Sequence, residues 1–224
     1  GVARYYRAEF YMTMVKKYSD VPWCDHALAT NDNLLYGKRD SRETVMQHVM
    51  DDYQYAADNV KADQPKGAID RWIVLASMAR TALYEGTYRK YHPELNQQAS
   101  ADALIKKAAD AASEIMQSAR YSIYNTGHPE SDYASLFNAS DLTSNPEMIQ
   151  AHYYERNVAE NGIWGAYMFG NYIPCPTKAL VQAYLMKDGT YIRHSPDTRP
   201  SSLSTSSRTA THACRRLSPT LVGN

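Results

Sequence analysis

The sequence predicts an all-α protein in the main, built of paired helices with long loops between them. Three observations predict it. Apolar residues recur at helical spacing through four separate stretches of the chain. Those stretches are punctuated by residues that start or stop helices: Pro22, Asp40, the break from Ala62 to Gly67, and Asp70. The third stretch carries small residues on its apolar stripe, which allow a neighbouring helix to approach closely.

Taken in order, residues 3–16 read as an amphipathic helix with Ala3, Tyr6, Phe10 and Met14 on one face and Arg4, Glu9 and Lys16 off it. Pro22 bars continuation, so Tyr18 to Trp23 is a loop. Residues 24–39 continue it; a loop of that length in a compact domain tends to be functional or mobile. Asp40 and Glu43 form a capping box for a second helix, along which Val45, Val49, Tyr53, Ala56 and Val60 repeat. Asp70 caps a third helix expected to run to about Tyr84, closed by Leu83-Tyr84-Glu85-Gly86, with Trp72, Ala76, Ala79 and Leu83 on one stripe. Residues 99–118 form an Ala-rich fourth helix with Leu104, Ala108, Ala111 and Ile115 inward. Four helices in two pairs suggest tetratricopeptide-like hairpins, although no strict repeat period is visible.

Beyond the fourth helix the chain is turn-rich from Tyr121 to Tyr133. Ile149 to Tyr154 reads as extended, with a short helix over Met148 to Tyr153 as the alternative. Glu155 to Tyr172 is a loop rich in Gly and Asn. In Gly170 to Gly189, Pro176 suits a first helical turn and Thr177 is an N-cap if the helix starts one residue later. Leu180, Val181, Tyr184 and Leu185 follow at helical spacing, and Asp188-Gly189 ends the helix and turns the chain.

Composition excludes several classes. The 224 residues hold 24 Lys+Arg and 24 Asp+Glu, and that balance lacks the basic surplus of a nucleic-acid partner. Cys24, Cys175 and Cys214 have neither metal nor redox spacing, and an odd number argues against a disulfide framework. No run is long and apolar enough to span a bilayer. The opening GVARYYRAEFYM shows neither an initiator Met nor a signal peptide, and its helix starts uncapped, so the expectation is a fragment incomplete at both ends. No nucleophile elbow, zinc-protease motif, phosphate loop or Cys-x-x-Cys is present. Asp51 and Asp52 are adjacent on a helix and point to different sides, which reads as a solvated face rather than an acid/base pair. The reading is therefore no enzyme, no catalytic residue, no metal and no cofactor.

Tyr is abundant, 19 against 3 Phe, and a ring with a polar tip suits half-exposed binding faces. Sugar rings present an apolar C–H face to Trp or Tyr and hydroxyls to short polar side chains. Loop 155–172 supplies both, with Trp164, Tyr167 and Tyr172 beside Arg156, Asn157 and Asn171. The Asp20 to His26 loop is a second candidate, with Trp23 next to Asp20 and Asp25; the competing reading there is that Trp23 covers the end of the first helix. Trp72 reads as core.

Five short motifs, in order, resemble the SusD/RagB family, the surface glycan-binding lipoproteins of Bacteroidetes. They are Arg7-Ala8 followed by Tyr18-Ser19-Asp20-Val21-Pro22, where Ser replaces the usual Gly; Arg39 to Glu43 with Val45, and Asp52-Tyr53-x-x-Ala56; Ala79-Arg80-x-x-Leu83-Tyr84-x-Gly86; Asn145-Pro146-Glu147-Met148-Ile149; and Pro-Thr-x-x-Leu-Val-x-Ala-Tyr-x-Met-x-Asp-Gly from Pro176 to Gly189. The resemblance covers most of residues 3–194. It implies a SusD-like fold with tetratricopeptide-like helix pairs, and a protein that captures an oligosaccharide or peptide nutrient at the outer membrane. It also implies a SusC-like TonB-dependent transporter as partner and a lipid anchor upstream of this chain; Cys24 is not a candidate for it. The rival readings are a cytosolic tetratricopeptide-type scaffold that binds peptides and an α-helical carbohydrate-active enzyme.

These readings divide the chain into a partial SusD-like domain, residues 1–194, and an irregular tail, 195–224. The run SLSTSSRTATHACRR from Ser202 to Arg216 has no aromatic and no apolar period. A back-translation of Leu203 to Asn224, shifted by two bases, permits FDEFKNRDPRLPQTFTDPGWE, whose Asn-Arg-Asp-Pro-Arg-Leu resembles a family motif. The hypothesis is a frameshifted tail in which His212 and Cys214 have no function. Gene bases inconsistent with that string would sink it.

Overall fold

The computed structural model describes residues 1–65, 67–154, 177–185 and 191. It is mainly α-helical: among the described residues there is no strand, only isolated antiparallel bridges between Val21 and Asp40 and between Leu185 and Tyr191. None of the described helices is long and apolar enough to cross a membrane.

The chain forms two units. The first takes Gly1–Ser122 with Pro146–His152 and holds helices α1 (Val2–Tyr18), α2 (Arg42–Asn59), α3 (Arg71–Tyr91) and α4 (Ala101–Gln117). Each helix packs on the next, α1 on α2, α2 on α3 and α3 on α4. The second takes Ile123–Asn145 and the chain from Tyr153 onward, with α5 (Pro129–Asn138) and the short α6 (Lys178–Ala183). Thr177 caps α6, its hydroxyl accepting the N–H of Leu180 at 3.1 Å. The helix ends at Ala183, so Tyr184 and Leu185 lie beyond it.

The core of the first unit forms where the second helix was expected to face. Val45, Val49, Tyr53, Ala56 and Val60 are all buried, joined by Met46, Met50 and Ala57. Each such aliphatic or aromatic side chain removed from water stabilises by about 1.5–3 kcal/mol. The α4 face is likewise as expected, with Ala108, Ala111 and Ile115 buried and Leu104 packed beside them.

Four expectations are corrected. On α1 the buried face is Tyr5, Ala8, Tyr11, Met12 and Val15, whereas Tyr6 and Phe10 are 58% and 57% exposed. With large rings all round the helix, periodicity alone admits both faces; packing of Tyr5 and Tyr11 against α2 and the following loop selects one. The cap of α2 is Ser41, which accepts the N–H of Thr44 at 3.2 Å, not Asp40, whose carboxylate takes the N–H of Trp23 at 2.8 Å. Helix α3 does not close at Gly86 but continues to Tyr91. Gly86 is buried against α4: a Cβ there would lie 2.8 Å from Ile105 Cγ1 and 3.0 Å from the Ala101 carbonyl oxygen. It permits close helix approach, a role a sequence shares with a helix stop. Leu83, on the expected inward stripe, is 50% exposed, because α3 lies between α2 and α4 and buries Ile73, Val74, Leu75, Met78 and Ala82 instead.

Residues 149–154 form neither strand nor helix, but Ile149 packs on the core. The loop 155–172, the Asp188-Gly189 turn and the tail lie outside the described residues.

Candidate functional site

Helix α1 presents Arg4 and Arg7, one turn apart, toward the side of α2 that carries His48, Asp51, Asp52 and Tyr55. With Ala3, Trp23 and Asp25, those arginines, His48 and the two aspartates line an open cleft of about 570 Å³.

The cleft is organised by a carboxylate at its floor. Asp52 is 2% exposed, which corrects the expectation of a solvated Asp51–Asp52 face; Asp51 alone is exposed. A buried carboxylate needs a paired cation and satisfied oxygens. Arg7 provides both in a bidentate fork, Nε to Oδ2 at 2.6 Å and Nη2 to Oδ1 at 2.8 Å. The same hydrogen bonds hold the Arg7 guanidinium above its ordinary range. Arg4 stands 3.7 Å from Asp52 with its guanidinium over the Tyr55 ring at 3.9 Å. Arg7 Nη1 also donates to the Asp25 carbonyl oxygen at 3.1 Å, which ties the loop after α1 to the cleft wall.

Trp23 lines this cleft, but its ring is engaged. Tyr11 lies 4.2 Å and His48 4.7 Å from it, ring centre to ring centre, and the Arg7 guanidinium is 4.9 Å away. The Trp23 backbone N–H donates to the Asp40 carboxylate, and the Cys24 backbone N–H donates to the Tyr11 hydroxyl at 2.7 Å. Burial pushes that hydroxyl above the usual phenol range. Trp23, half-buried, therefore serves as part of the wall. Asp20 does not line the cleft: its carboxylate accepts the N–H of Arg42 at 2.9 Å and helps start α2. Trp164, Tyr167, Asn171 and Tyr172 lie outside the described residues.

Beside the cleft, His26 sits between two carboxylates, Nδ1 at 2.7 Å from Asp25 and Nε2 at 2.9 Å from Asp32. These hydrogen bonds raise the imidazole above its ordinary range. Asp32 in turn accepts the N–H of Leu34 and caps the 3-10 helix Asn33–Tyr36. Sequence reading placed Trp23 and Asp25 in a candidate loop but missed Arg4, Arg7, His48 and Asp52. The available signal was Arg4 and Arg7 at helical spacing opposite a helix with an acid one residue off its apolar stripe. Among the described residues no group of three His, Cys, Asp or Glu is placed to hold a metal ion.

No protein-family model matches the chain, and no curated protein does. Two solved structures from Bacteroides fragilis NCTC 9343 share its fold. One is a SusD-like protein, 21% identical, with a TM-score of 0.63 over 84% of this chain and 35% of its own. The other is a SusD-like carbohydrate-binding protein, 19% identical, with a TM-score of 0.61 over 93% of this chain and 37% of its own. The chain thus spans little more than a third of either.

Proposed function

We propose that this chain, which has the SusD-like fold, captures glycans at the cell surface for import. The observation that carries the reading is the cleft between α1 and α2, where Trp23 stands among carboxylates and guanidiniums on the fold of a carbohydrate-binding protein. An indole offers apolar surface to sugar C–H groups, and the charged groups offer donors and acceptors to hydroxyls. Steady binding of this kind needs no nucleophile and no opposed acid and base, so the protein acts as a binder rather than an enzyme.

The finer parts of the proposal follow from the motif resemblance. The partner is a SusC-like TonB-dependent transporter, and the protein is held at the outer membrane by a lipid anchor outside this sequence. Trp164, Tyr167, Asn171 and Tyr172 contribute ligand contacts from their loop, because aromatics for stacking and an amide for hydroxyls lie close together there. Calorimetry against a panel of oligosaccharides tests the central claim, with saturable binding of at least one expected and binding of none overturning it. Trp164→Ala is expected to weaken that binding without altering the unfolding transition; unchanged affinity removes Trp164 from the site. Protease shaving of intact cells, followed by fractionation, checks the surface placement.

A further inference from the structure

We infer that the cleft selects uncharged saccharides and discriminates against acidic ones. The inference rests on the glycan-binding reading above and adds the chemical class of the ligand.

The arginines are the first place an acidic sugar would seek a partner, and both already face a carboxylate, Arg7 through hydrogen bonds and Arg4 at 3.7 Å. Arg7 spends Nε and Nη2 on Asp52 and Nη1 on the Asp25 carbonyl oxygen. Arg4 lies against the Tyr55 ring with its Nε toward the same Asp52. A buried carboxylate bonds Arg7 at 2.6 and 2.8 Å and offsets charge that an anion would otherwise meet.

The remaining charges point the same way. Two guanidiniums line the cleft against three carboxylates, Asp25, Asp51 and Asp52. Asp25 is bonded to His26, whereas Asp51 is exposed and bonded to the neutral amide of Gln47 at 2.9 Å. Among the described residues Asp51 has no ion-pair partner. A carboxylate accepts hydrogen bonds and donates none at neutral pH. It therefore suits the hydroxyl of a neutral sugar and repels a uronate or sulfate.

The test uses the 224-residue chain and matched oligosaccharide pairs: neutral xylo-oligosaccharides with their glucuronate-bearing forms, and a neutral galacto-oligosaccharide set with oligogalacturonates. At low ionic strength the acidic member of a bound pair is expected to bind about tenfold or more weakly, the scale of one like-charge contact. The gap should narrow as salt rises. Asp51→Lys, an exposed change that leaves the core intact, should narrow it as well. Acidic members binding as tightly as neutral ones, or tighter, overturns the inference and leaves the glycan reading standing. A gap that Asp51→Lys does not move places the ligand outside this cleft and also overturns it. Binding of no saccharide, neutral or acidic, overturns both readings.

Discussion

Two buried carboxylates, each set between two arginines, do opposite things in this molecule. Glu85 on α3 is 0% exposed; it accepts Arg42 through Nε at 3.1 Å and Nη2 at 2.8 Å, and Arg89 through Nε at 2.9 Å. Both arginines are buried too, and Arg89 reaches on to the Ser100 hydroxyl at 2.7 Å while Arg42 lies over Tyr88. Asp52 on α2 has the same kind of escort, but Arg4 is 46% exposed and the pair opens on a cleft. The chemistry is shared and the access to water differs. Sealed, the charges cannot leave their partners without an unpaired ion inside the protein; open, they can exchange protein for water or ligand. The Glu85 cluster thereby fixes how α2, α3 and the start of α4 sit, and the Asp52 cluster shapes a surface.

The largest effect should come from breaking the sealed cluster. Glu85→Gln leaves two buried guanidiniums short of a counter-charge and is expected to cost about 3–5 kcal/mol in urea unfolding. Asp52→Asn, the matching change, should cost about 1–2 kcal/mol, because Arg4 and Arg7 can turn toward solvent. Equal losses at the two sites would erase the distinction between a lock and a cleft. Between these two falls Gly86→Ala, on the residue next to Glu85. Ala is the better helix former by about 1 kcal/mol, but its methyl would meet backbone of α4, so a net loss of about 1–3 kcal/mol is expected. A gain in stability would mean that α3 and α4 can separate without penalty.

Much of this was legible in the sequence, and what was not has physical reasons. The α2 and α4 faces could be read because their apolar residues keep helical spacing with polar residues between them. The α1 face could not, because Tyr6 and Phe10 are as apolar as Tyr5 and Tyr11, and only the tertiary partner decides which pair is covered. The charged clusters were hidden for a different reason. Arg7 and Asp52, or Arg42 and Glu85, are more than 40 positions apart and look like ordinary solvated residues until the helices meet. Trp23 could be read as a loop residue, yet its partners His48 and Tyr11 come from two different helices.

Ser19 sharpens the comparison from the loop side. The motif it occupies usually carries Gly, and here the residue ends α1 with φ 62° and ψ −84°, a conformation a side chain resists. Ser19→Gly should stabilise the fold by about 1 kcal/mol, read as an upward shift in the unfolding midpoint. Unchanged stability would show that the strain is relieved elsewhere in the loop.

The smallest expected effect is also the one most specific to the open region. Both ring nitrogens of His26 face carboxylate oxygens, and only the imidazolium can donate to both. Its pKa in the folded chain is raised above the unfolded value near 6.5, by the Asp25 hydrogen bond first and the Asp32 hydrogen bond second. A raised pKa means that the folded state binds the proton more tightly, so the bridge contributes fully below about pH 6.5 and is lost as pH rises through the folded pKa. The ring is exposed, so salt should weaken the effect. Proton resonances of the ring should titrate above the free-imidazole value and return toward it in Asp25→Asn. A titration at or below 6.5 would mean that the two carboxylates do not hold the ring, and the loop would then depend on its other ties, Arg7 to the Asp25 carbonyl, Cys24 to Tyr11 and the Trp23 ring on His48.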